Sequence, residues 1–220
     1  MTSLKVESFT ENDIIDPFKI IRYLENHLPR KHISADLVVK CLKIMCKHLK
    51  GIKITYKRIR AVRDCFAING FFDREKRVSI ELEICCSSFR KPFTLSKKLH
   101  RAMIYDIADT LCHESIHRYQ DSIRDDNSWI DDTGDIEADY YADPDEMFAF
   151  AANIAHSMYR QYGRQAIDEL QRLDNVLEFD PYLADYYTFF YQQPRFKKIV
   201  KLVYLNLIAI DNGKVLHRPF

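Results

Sequence analysis

The chain has 220 residues, 47% of them hydrophobic and 30% charged, and a formal net charge of +1. That composition excludes a disordered chain, a collagen-like repeat and a coiled-coil rod, and it leaves no global charge to draw the protein to nucleic acid or membrane. No apolar run approaches the roughly 20 residues of a membrane-spanning helix, and Met1–Glu7 lacks the apolar core of a secretory signal, so a cytoplasmic protein with no membrane partner is expected.

Residues 1–13 are polar and without periodicity, and are expected to be disordered. Asp16-Pro17 reads as a helix start, with Phe18, Ile20, Ile21, Leu24 and Leu28 on one apolar face. A second helix is predicted from Ser34 through Leu49, ending at Gly51. The period then changes. Ile52, Ile54 and Tyr56 alternate with polar residues, Cys65 to Phe72 is a short apolar run, and Val78, Ile80, Leu82 and Ile84 alternate again. These are three short strands of a small sheet, antiparallel by proximity, with Asp73–Lys76 as a turn. Helical periodicity returns over 96–119, with Leu99, Met103, Ile104, Ile107, Leu111 and Ile116 on the buried side. Residues 121–143 read as a long acidic loop, Asp143-Pro144 opens a helix through Met158, and further helices are predicted near 164–175, 181–192 and 195–210.

No linker stands out. The expected fold is therefore one α+β domain over 1–220, mainly helical. A small antiparallel or mixed sheet precedes the 96–119 helix, and the 164–220 helices pack on the core. Six cysteines without a CxxC pair, in a chain of this size, are expected as reduced and mostly buried thiols.

Within the 96–119 segment lies His113-Glu114-Ser115-Ile116-His117, an HExxH. Residues four apart share a helix face, so both imidazoles can reach one metal. Glu114 is turned about 100° from His113, which sets its carboxylate beside the metal. There it can take a proton from a zinc-acidified water and pass it on. A hydrolytic zinc site needs a third protein ligand. Glu137, Asp139, Asp143, Asp145, Glu146 and His156 follow downstream; Glu146 is best placed, in the first turn of the next strong helix, with Asp143 and Asp145 as alternatives. His156 lies ten residues on and off the face of Glu146. The alanines at 149, 151 and 152 suit close helix packing.

HExxH followed by Glu146-Met147-Phe148-Ala149 on a second helix resembles the gluzincin group of zinc metallopeptidases, and is similar in particular to the ImmA/IrrE type and to phage-encoded metallopeptidases. The resemblance spans about 78–152. It implies a hydrolase with one Zn2+ held by His113, His117 and Glu146, and Glu114 as general base and acid. It also implies a protein or peptide substrate laid along a sheet edge, with Val78–Ile84 the candidate strand. The chain departs from the stricter pattern at Arg118, where an uncharged residue is usual. A peptidase also needs an oxyanion donor, for which Tyr140 and Tyr141 are candidates, Tyr141 the preferred one.

Two other readings compete. Lys40 to Arg63 holds nine basic residues and no acid, with Tyr56 embedded, as a nucleic-acid surface would. In that case charge removal at Lys53, Lys57 and Arg60 weakens binding. A protein-binding module on an inactive zincin-like fold is the other; the intact Glu114 argues against it.

Overall fold

The computed structural model describes residues 13–49, 51–59, 66–72, 79–123 and 136–217. The expectations for residues 1–12, the Asp73–Lys76 turn, Cys65 and most of the acidic stretch lie outside these. The fold is α+β and mainly helical, with one three-stranded mixed sheet. None of the helices described is long and apolar enough to cross a membrane. The chain divides into two compact units, Met1–Ile123 and Arg124–Phe220.

In the first unit, α1 (Pro17–His27) begins where Asp16 caps the Phe18 N–H at 2.9 Å, with Pro17 at the first turn. Ser34 likewise caps α2 (Ala35–Met45) by accepting from Leu37 N. A 3₁₀ turn, Cys46–His48, follows, and Gly51 at φ 67° reverses the chain into the sheet. The strands are β1 (Ile52–Arg58), β2 (Ala67–Phe72) and β3 (Ile80–Cys86), in the order β1-β3-β2. β3 runs parallel to β1 and antiparallel to β2. Its position corrects the expectation that Val78–Ile84 forms the open edge. β3 is the central strand, paired on both sides, and the edge against the long helix is β2.

Ile80, Leu82 and Ile84 are fully buried and register with Ile52, Ile54 and Tyr56, so one sheet face carries the core. The opposite face carries polar pairs: Lys53 with Glu81 at 3.0 Å, and Lys57 with Glu83 at 4.0 Å. The long helix α3 (Lys97–Ile123) contributes Ile104, Ile107, Ala108 and Leu111 to that core, all at 0% exposure. Burying each of the larger three stabilises the unit by about 1.5–3 kcal/mol, which fixes the helix's rotation and hence where its next turn points.

In the second unit, α4 (Ile136–Ala142) corrects the expected loop: the acids Glu137 and Asp139 sit in its first turn, where the helix dipole favours them. α5 (Pro144–Tyr162) is buried continuously from Met147 to His156 and packs on α9 (Pro194–Asp211). The helix expected near 164–175 is broken into a 3₁₀ turn, α6 (Ala166–Leu170) and α7 (Leu173–Phe179); α8 (Pro181–Phe190) is capped by Asp180 through Leu183 N. The described cysteines, 41, 46, 85, 86 and 112, are buried and not in disulfides.

Candidate metal centre

The sequence starts the HExxH on α3 two residues beyond the core anchor Leu111, and both imidazoles are nearly buried, at 8% and 7% exposure. Their Nε2 atoms lie 3.0 Å apart. Two nitrogens bound to one metal at about 2.0–2.1 Å in tetrahedral geometry stand about 3.3 Å from each other, so the observed spacing suits a shared metal. Two imidazole lone pairs at this distance repel unless a proton or a cation lies between them. His117 Nδ1 is 3.0 Å from Gln120 Oε1. An amide oxygen only accepts, so Nδ1 carries the hydrogen and Nε2 is the coordinating atom of the neutral ring. Gln120 is therefore an orienting residue, one turn past the second histidine, which motif reading overlooks.

Glu114 faces β2. A Cβ added to Gly70 would stand 2.8 Å from Glu114 Cγ and 2.9 Å from its Oε1, and would also strike the Thr110 methyl. Glycine at 70 thus lets the edge strand lie directly against the carboxylate. Gly70→Ala should push strand and helix apart, lowering stability by about 1–3 kcal/mol and disturbing Glu114. Thermal melting of the variant checks the first effect, and an unchanged melting temperature would refute the contact.

Arg118, the departure from the zincin pattern, is buried on another face of the helix. Its Nη2 donates to the Asp13 carbonyl at 3.1 Å, and Ser115 Oγ accepts from Ile15 N at 2.9 Å. The two side chains fasten the segment before α1, so Arg118 has a structural task that does not draw on the histidine face.

Glu146 and Tyr141 belong to the second unit. Glu146 is in the first turn of α5, and Asp143, one of the alternatives, is that helix's cap, accepting from Asp145 N at 2.7 Å. Tyr141 donates its hydroxyl to Asp185 Oδ2 at 2.8 Å, and its ring packs among Phe150, Tyr186 and Phe189. Burial and that carboxylate hold its phenol protonated well above the usual range. An oxyanion donor at 141 would have to give up this bond. Tyr186, which the sequence does not single out, has a fully buried hydroxyl with no hydrogen-bond partner among the described residues. Burial first, then the Glu146 carboxylate, raise its pKa.

His156 has a different role. It is fully buried on α5, and its Nε2–H donates to the Val215 carbonyl at 2.8 Å, tying the C-terminal segment to the helix. Burial pushes its pKa down to about 3. Below its ordinary value of 6.5 the unfolded chain takes up a proton that the native ring refuses. This residue therefore costs roughly 1.4 kcal/mol of stability per pH unit as pH falls from about 6 toward 3, and nothing above pH 7. His156→Gln, which keeps an N–H donor, should show a shallower loss of stability between pH 6 and 4 than the parent. Parallel slopes would contradict the assignment.

Comparison with known protein families, curated proteins and solved structures returns no match.

Proposed function

We propose that the chain is a zinc-dependent peptidase, with His113, His117 and Glu146 as the protein ligands of one Zn2+ and Glu114 as the general base and acid. The observation that carries this reading is the histidine pair: two nearly buried Nε2 atoms 3.0 Å apart, one of them held in its coordinating tautomer by Gln120. Two neutral imidazoles and one carboxylate are the donor set of hydrolytic zinc sites. Bound there, the metal would acidify a water and polarise the scissile carbonyl. Glu114 would hold the water's proton on its carboxylate and deliver it to the leaving nitrogen.

β2 supports a protein or peptide substrate. Among the described residues it pairs only with β3, so its outer backbone is available to an extended peptide, and Gly70 sets that backbone against Glu114. The test is the metal content of untagged protein by elemental analysis. About one zinc per chain is expected, removable by chelator and restored by added zinc. Protein that takes up no zinc on reconstitution would defeat the proposal.

A further inference from the structure

The basic segment that the peptidase reading leaves unused gathers at the other edge of the sheet. We propose that β1 and the adjoining face of α2 bind single-stranded nucleic acid, with phosphates at the α2 lysines and a base stacked on Tyr56. Lys40 and Lys43 are exposed three residues apart on α2, which puts them on one helix face, and the exposed Lys47 follows in the 3₁₀ turn Cys46–His48. Lys43, Lys47 and Lys53, with Gly51 and Ser79, line a cavity of about 620 Å³ between the end of α2 and the start of β1.

The charge there is largely uncompensated. Lys53 and Lys57 are paired with Glu81 and Glu83, but Lys40, Lys43, Lys47 and Arg58 make no ion pair among the described residues. β1, which carries Lys53 and Arg58, also holds an aromatic in solvent. Tyr56 is 46% exposed, and its ring is braced by Phe89 with centroids 4.2 Å apart. Cations along a groove with a braced, open aromatic ring are what a phosphodiester chain with unstacked bases requires. An acidic protein partner would use the lysines but would leave the ring without a purpose. Arg60 and Arg63 lie outside the described residues, and the pairing of Lys53 and Lys57 makes Lys43 and Lys47 the better probes.

This surface is independent of the metal. β1 and β2 are opposite edges of the sheet, and Glu114 faces β2. Binding of a labelled 20-nucleotide oligo-dT by the full chain, followed by fluorescence anisotropy, tests it. Four phosphate contacts predict a log–log salt slope of about −2.8, so affinity should fall about 50-fold between 50 and 200 mM salt. Lys43→Gln with Lys47→Gln should halve that slope. Tyr56→Ala should weaken binding about tenfold at every salt concentration and leave the slope unchanged. Glu114→Gln should bind as the parent does. Absence of binding at 50 mM salt, binding indifferent to the two lysines, or equal affinity for poly-glutamate would each overturn the proposal. Thermal melting of the exposed-residue variants guards against a folding defect.

Discussion

Glu114→Gln is expected to lose 10²- to 10⁴-fold in peptidase turnover, the usual contribution of a positioned general base, while keeping its fold and its zinc. The physical case rests on isosterism. The amide matches the carboxylate in size, so the close approach to Gly70 survives and α3 keeps its place against β2. What disappears is the capacity to accept a proton. The histidines and Gln120 are untouched, so metal content should equal the parent's. Chelator treatment of the parent should reproduce the loss of activity, and added zinc should reverse it only where Glu114 is intact. Retention of more than about a tenth of parental turnover would assign the base elsewhere.

The same helix shows what a sequence can and cannot convey. Capping is local, so Asp16-Pro17, Ser34 and Asp143-Pro144 mark their helix starts correctly. The HExxH is legible because its meaning depends on one helix turn. Strand order is not local. Ile52–Tyr56 and Ile80–Ile84 alternate alike, and alternation gives a strand's buried face without naming its neighbour. A signal was present: Lys53 and Lys57 on one strand and Glu81 and Glu83 on the other carry complementary charge, and they meet across the parallel pair, Lys53 directly opposite Glu81 and Lys57 diagonally to Glu83. Misplacing β3 at the edge hid the importance of Gly70. The short α4 was masked by its charge. Its acids lie in the first turn, where they favour the helix, and its inward residues, Tyr141 and Ala142, are too few to show a period. Gln120 and Tyr186 escaped because each matters only through a neighbour that folding supplies.

The second large effect concerns the ligands. His117→Ala should lower zinc affinity by on the order of 10²- to 10⁴-fold, since removing one of three ligands forfeits a major share of the binding energy. Glu146→Ala should do the same if it supplies the carboxylate. The two variants differ in what else they disturb. His117 also accounts for the Gln120 hydrogen bond, so Gln120→Ala isolates the orienting contribution and should cost about 10- to 100-fold in zinc affinity. The Glu146 carboxylate helps to raise the pKa of the buried Tyr186 phenol, so its removal relieves that upward pull. Asp143 provides the contrast. Asn caps a helix as well as Asp does, so Asp143→Asn should change neither stability nor zinc, whereas Asp143→Ala should cost about 1 kcal/mol of stability and no zinc. Zinc lost from His117→Ala but held by Glu146→Ala would transfer the third position to Asp145, the neighbouring acid in the first turn of α5 whose side chain is not its cap. Zinc held by both would remove the metal from α3 altogether, and with it the reason for two imidazoles to meet at 3.0 Å.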